Sequence, residues 1–215
     1  AQDIAWQTRH LYNKVNSETP VVRARVATIG EGLQVMVYVK DQPDLFARMC
    51  GYFDERRLSI QDARIYTTRH GWALDSFILL APGTPSEQRA LLSLVEHELA
   101  ERLAAPAGGP TSATQAVPLG PRQSRQSRMF PITPTIELQP DERGQSWILS
   151  VTASDRTGLL HAIARTFAKH GINLRTAKVM TLGERVEDTF LIDGSALDNS
   201  RSQIQFEQDL LEALK

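Results

Sequence analysis

The chain has 215 residues, with 24 basic against 25 acidic side chains and 41% hydrophobic content. That length holds one large domain or two small ones, and the near-cancelling charge argues against a dedicated nucleic-acid binder, which carries a basic footprint. No apolar run approaches the ~18 residues of a membrane-spanning helix, and a lone cysteine, Cys50, excludes an internal disulfide framework and predicts a reducing compartment.

The chain opens on AQDIAW, with neither Met nor a secretory leader, which predicts a cytoplasmic piece of a longer protein. Residues 3–14, DIAWQTRHLYNK, predict a short helix within an N-terminal linking segment, 1–20. VVRARVAT (21–28) reads as a strand joined through the turn IGEG to LQVMVYV (33–39), a second strand. A helix follows over roughly 44–56, ended by Arg57, a weaker terminator than glycine. SIQDARIYTT (59–68) alternates as a strand, RHG turns, and ALDSFILL (73–80) is the next strand. SEQRALLSLVEHELAERL (86–103) is a helix whose start is marked by Pro85 and Glu87. The stretch 105–130, dominated by Pro, Gly, Ser and Gln, predicts a linker. Its Arg122, Arg125 and Arg128 could touch phosphate, but its composition favours a solubilising role.

The second half runs the same way. PTIELQ (134–139) leads through PDERGQ to the strand WILSVTA (147–153). A helix over 158–169 carries Leu159, Ile163, Thr166 and Phe167 at helical spacing, and Gly171 supplies the left-handed residue that ends it. NLRTAKVMTL (173–182) and VEDTFLID (186–193) are strands separated by the turn GER, and SQIQFEQDLLEALK (202–215) is the last helix.

The halves are an internal repeat. Asp41 and Asp155 stand 114 apart, and at that offset Leu45 falls on Leu159, Phe53 on Phe167, Ile60 on Leu174, Ala63 on Ala177 and Thr67 on Thr181. One residue then drops out of the second copy, after which Asp75 falls on Asp188 and Phe77 on Phe190. Each copy reads βαββα, with its leading strand filling the edge beside the next strand and leaving no bare edge. The expected fold class is α+β: two tandem ferredoxin-like domains, 21–104 and 131–215, with antiparallel sheets and two helices on one face of each.

The residues offer little catalytic chemistry. The five histidines are scattered, and His161 and His170, nine apart on one helix, lack metal-ligand spacing. Asp155 and His161 invite a catalytic pairing, but no G-x-S-x-G turn supplies a nucleophile. Cys50 shares a helix face with Phe46 and Phe53 and reads as core. No phosphate-binding loop, dinucleotide glycine pattern or aromatic RNA-binding stripe is present. The turn Asp155-Arg156-Thr157-Gly158 has two readings. Asp155 and Thr157 cap the following helix and Gly158 lets the chain turn, or open N–H groups there hold a small carboxylate or polar ligand.

DRTGLLHAIARTFAKHGINLRTAKVMTLGERVEDTFLI resembles an ACT domain, the small-molecule-sensing module of amino-acid metabolism; D-R-x-G-L-L, G-I-N-L and D-T-F are the marks. The first copy, LFARMCGYFDERRLSIQDARIYTTRHGWALDSFIL, with IAWQTRHL ahead of it, is similar to the ACT pairs of a family of bacterial nitrogen-control enzymes that attach UMP to, and remove it from, the PII signal protein. The resemblance implies a regulatory region with no catalytic site and no cofactor of its own. It implies L-glutamine as effector, PII as a partner reached through the parent enzyme, and Mg or Mn in that enzyme's other domains, whose motifs are absent here. ACT–ACT pairing within the chain or in a homodimer is implied too. Ligand contacts are implied at Asp155, Arg156, Thr157, Gly158 and Leu159 with Asn173 and Leu174, and at Asp41, Gln42, Pro43, Asp44 and Leu45 with Ser59 and Ile60. The first copy departs from the pattern, with Gln42 in place of Arg and Asp44 in place of Gly. A carboxylate and a side chain at that spot predict that the second loop binds glutamine better than the first. A stand-alone two-ACT regulator, an ACT tail of another amino-acid-metabolism enzyme and a ligand-free interaction module stay open at this point.

Overall fold

A computed structural model describes residues 2–15, 17–28, 32–81, 84–105 and 132–215. Nearly all of the expected linker, its three arginines and most of the turn IGEG lie outside the described residues. The elements are α1 (Gln2–Leu11), β1 (Val21–Val26), β2 (Leu33–Lys40), α2 (Leu45–Glu55), β3 (Ser59–Tyr66), β4 (Trp72–Leu80), α3 (Pro85–Ala104), β5 (Thr135–Pro140), β6 (Trp147–Ser154), α4 (Leu159–Lys169), β7 (Asn173–Leu182), β8 (Arg185–Asp193) and α5 (Ser200–Ala213). A short 3-10 turn, Ser195–Leu197, leads into α5.

The two repeats do not keep separate sheets. They share one eight-stranded antiparallel sheet in the order β1-β2-β4-β3-β7-β8-β6-β5. The join is β3 against β7, from Asp62 opposite Met180 to Tyr66 opposite Thr176. β3 and β7 are repeat partners, and each is an exposed edge of its own unit. Pairing them antiparallel satisfies both rows of backbone N–H and C=O groups at once. The leading strands do take the edge slots, β1 beside β2 and β5 beside β6. They become the outer edges of the joint sheet, so the expectation of no bare edge needs correction. At β1, the side chain of Glu96 from α3 accepts the Ala24 N–H at 2.7 Å. β5 is blunted by the polar and proline residues Glu137, Gln139 and Pro140.

Alternation along the strands separates two faces. Leu33, Val35, Val37 and Val39 of β2 join the core shared with α2, α3, α4 and α5. The matched aromatics of the repeat pack alike in both units: Phe53 meets Phe77 at 4.9 Å and Phe167 meets Phe190 at 5.4 Å, both edge-on. Gln34 and Met36 point to the other face, where α1 lies. There Asp3 accepts from Arg25 at 2.6 Å and from Gln34 at 3.2 Å, and the Arg25 guanidinium stands 4.2 Å over the Trp6 ring. This contact explains Trp6, which the periodicity of the sequence leaves without a role.

Helix ends follow local chemistry. Arg57 adopts the left-handed conformation (φ 58°) that Gly171 adopts (φ 62°) at the matching end of α4. The start of α3 is a full capping box between Thr84 and Glu87 with Pro85 at the first position. α5 begins two residues before the expected 202 because Asn199 caps the N–H groups of Arg201 and Ser202.

Candidate functional site

Each strand-to-helix loop ends in a left-handed residue: Asp44 (φ 60°) before α2 and Gly158 (φ 80°) before α4. Neither helix has a side-chain N-cap, so Asp155 and Thr157 do not cap α4. The chain turns on Gly158 and leaves the first N–H groups of α4 without a side-chain acceptor.

The expected site residues come together crosswise. The antiparallel β3–β7 join carries the start of each of these strands to the loop of the other unit. Asp41–Leu45 therefore share a cavity of about 250 Å³ with Asn173 and Leu174, closed by Ala164 and Phe167 of α4 and by Ile65, Thr67 and Asp75. Asp155–Leu159 face Ser59 and Ile60 around a cavity of only about 50 Å³, with Cys50 and Asp54 of α2 and Asp188. Loop and strand start of the same unit, grouped together from the sequence, are thus assigned to opposite ends of the seam. The second cavity is small because side chains crowd it. A Cβ placed on Gly158 would lie 2.9 Å from Asp54 Oδ2. That carboxylate is also 3.7 Å from Nδ1 of the buried His161.

The arginine expected at the second loop turns elsewhere. Arg156 Nη2 donates to the Ala213 carbonyl at the end of α5, 2.5 Å away. In the first unit Gln42 Nε2 donates to the Leu103 carbonyl at the end of α3. Arg48, buried in α2, donates through Nη1 to Gln42 Oε1 at 2.8 Å, and through Nη2 to the Ala105 carbonyl at 2.9 Å and to the Arg102 carbonyl. Arg48 falls on Ala162 at the repeat offset, as Gln42 falls on Arg156. The guanidinium has moved from loop to helix between the copies but serves the same helix C-terminus.

Two carboxyls went unassigned in the sequence. Asp75 is 1% exposed and Asp188 3%. Asp75 Oδ1 accepts the Tyr66 N–H at 3.2 Å, and Asp188 Oδ1 accepts the Met180 N–H at 3.1 Å. These are the N–H groups left where β3 parts from β4 and β7 from β8. The signal was available: LDSF and EDTF each place an acid at a core-facing position of a strand. Burial, with Asp41 nearby, pushes Asp75 up to about 8, and burial, with Asp155 nearby, pushes Asp188 to about 7. Asp75 Oδ2 is buried with no hydrogen-bond partner.

The folded chain therefore binds more protons than the unfolded chain between the ordinary carboxylate range, near about 4, and these raised values. Its stability falls as pH rises through that window. Asp209, held down to about 2 by hydrogen bonds from Lys169 and His170, has the opposite sign and acts only below the window. The melting temperature is expected to drop between about pH 5 and pH 8. Asp75→Asn, which mimics the protonated acid, is expected to shrink that drop. Scanning calorimetry across the range checks it, and an equal drop in the variant refutes it.

Among the described residues no three His, Cys, Asp or Glu side chains gather to hold a metal ion. No helix of the described residues is long and apolar enough to cross a membrane.

The ACT domain family model matches residues 147–205, from the start of β6 into α5. The first unit repeats that unit's strand order, buried carboxyl and aromatic pair. The second unit carries an ACT domain, and the chain is a tandem pair of like-folded ferredoxin-like units. It is 60% identical over all 215 of its residues to a bifunctional uridylyltransferase/uridylyl-removing enzyme of Bordetella pertussis strain Tohama I, covering 25% of that protein. It is 60% identical to the enzyme of the same name from Cupriavidus metallidurans strain CH34 and 53% identical to that of Ralstonia nicotianae, in each case over the whole chain. The chain spans about a quarter of the length of the curated relatives it matches.

Proposed function

We propose that this ACT pair is the glutamine-sensing region of a bifunctional uridylyltransferase/uridylyl-removing enzyme, and that the ligand enters the larger seam cavity. The observation that carries the reading is the cavity of about 250 Å³ between Asp41–Leu45 and Asn173–Leu174, which both ACT domains build. It offers polar groups at Thr67, Asn173 and Asp75 and an apolar wall at Ile65, Phe167 and Leu174, the mixture a small amino acid needs. Glutamine is the member of that class implied by the resemblance to the nitrogen-control enzymes. The smaller cavity, about 50 Å³, has room only for a few water-sized groups. This reading thus reverses the preference for the Gly158 loop that the sequence suggests.

A ligand held by both domains binds only one arrangement of the seam tightly, and that differential affinity is what allosteric control requires. In the whole cytoplasmic enzyme of this proposal, the seam would bias uridylylation and deuridylylation of the PII protein. Those reactions, and the Mg or Mn they use, would belong to other domains. The test is thermal. L-Glutamine at about 100 times its Kd stabilises the folded chain by about 2.7 kcal/mol, a rise of roughly 5–10 °C for a chain of this size. An equal rise with L-glutamate, or none with glutamine, overturns the assignment.

A further inference from the structure

We propose that Asp75 is the group that reads the ammonium of the amino-acid ligand, through its unpartnered Oδ2, and that binding expels the proton this oxygen carries. The inference deepens the reading of the larger cavity and rests on it. Asp75 lines that cavity, is 1% exposed, and spends only Oδ1, on the Tyr66 N–H. Its Oδ2 is enclosed by protein and meets no donor. A buried acceptor without a donor is costly unless a proton or a cation completes it. Asp188, its repeat partner, accepts the Met180 N–H at Oδ1 in the same way but faces the smaller cavity.

The surroundings select a cation. The loop before α2 brings Asp41 and Asp44 to the cavity, and α2 brings the thiol of Cys50 close enough to feel the Asp75 charge. β3 and β4 contribute Ile65, Thr67 and Ala73, and α4 with the start of β7 contributes only uncharged side chains. Arg175 acts on Asp41. Asp44, which departs from the ACT pattern, thus repels anions and adds to the attraction for an ammonium.

Burial holds the empty site's Asp75 carboxyl protonated at neutral pH, with its value pushed up to about 8. When the ligand ammonium arrives, the O–H bond on Oδ2 breaks and the proton passes to the buffer. The carboxylate left behind accepts an N–H bond from the ammonium, so charge and atoms balance: one cation enters and one proton leaves.

The experiment is calorimetry of the whole chain at pH ~7 in two buffers of different ionisation enthalpy, with L-glutamine as ligand. About one proton is expected to be released per ligand bound, because most of a group with a value near 8 is protonated there. Asp75→Asn keeps the bond to Tyr66, and should abolish the release and weaken binding by about ten- to a hundredfold. Glutaramic acid, which lacks the α-ammonium, should bind wild type no better than Asp75→Asn. Glutamine binding without proton release, or with equal affinity in Asp75→Asn, overturns the role of Asp75 and leaves the glutamine reading intact. If glutamine is silent but another α-amino acid binds with the same proton release, the Asp75 role stands and the glutamine assignment falls. If no common amino acid binds, both fall.

Discussion

Arg48→Ala is expected to destabilise the chain by about 3–5 kcal/mol, lowering its melting temperature by roughly 10 °C. Arg48 is 2% exposed, among the most buried of the large side chains. Its guanidinium donates to Gln42 Oε1 and to the carbonyls of Arg102 and Ala105, where α3 ends. The last carbonyls of a helix have no partner within it, and each one left buried without a donor costs about 1–3 kcal/mol. Loss of the packed stem adds to this. Denaturant unfolding measures the change. Arg48→Met, which keeps the stem, separates packing from hydrogen bonding.

The second copy provides the rescue. There an arginine in the loop, Arg156, serves the α5 carbonyl of Ala213, and Ala162 stands where Arg48 would be. The double variant Gln42→Arg/Arg48→Ala copies that arrangement into the first unit and is expected to recover part of the loss. A double variant no more stable than Arg48→Ala would show that the two caps are not equivalent.

Gly158→Asp is expected to cost about 2–4 kcal/mol, while the mirror change Asp44→Gly stabilises by up to about 1 kcal/mol. Both positions hold left-handed backbone, φ 80° and φ 60°. That conformation costs a non-glycine residue about 1–2 kcal/mol, which Asp44 already bears and Gly158 avoids. The new side chain at 158 also meets its own charge type, since its Cβ falls 2.9 Å from Asp54 Oδ2. Gly158→Ala isolates the backbone share and should cost less than Gly158→Asp. Equal costs for Ala and Asp would remove the electrostatic part of the argument. On ligand binding the expectation is the reverse of what the loop sequences suggest. Gly158→Asp leaves glutamine affinity near wild type, whereas Asp44→Gly, at the larger cavity, changes it.

Much of this protein is local and was legible as such. The repeat at offset 114 follows the spacing of helix and strand faces, so Phe53 could be matched with Phe167, and Phe77 with Phe190, before the contacts Phe53–Phe77 and Phe167–Phe190 were known. Gly171 and Arg57 mark helix ends because a turn of backbone requires a left-handed residue there, whatever lies elsewhere in the chain. The edge role of β1 and β5 also followed, because a short hairpin connection forces antiparallel neighbours. Arg156 marks the limit of spacing: an arginine reaches far, and the sequence does not show that its Nη2 meets the Ala213 carbonyl.

What periodicity could not reach is everything made by two distant pieces of chain. The repeat writes the same βαββα unit twice, and nothing in either copy says which edge meets which. Pairing of β3 with β7 joins the two rows of backbone groups that each unit leaves at its edge. From that single join follow the crosswise sites, the unequal cavities and the crowding of Gly158 by Asp54. Asp75 and Asp188 are equivalent letters in the repeat, and only the packing around them encloses the unclaimed oxygen of Asp75 and sets that residue at the larger cavity. Backbone conformation and face periodicity are properties of neighbouring residues. Cavity volume and an unmet hydrogen bond are properties of surfaces brought together, and only the tertiary structure brings them together.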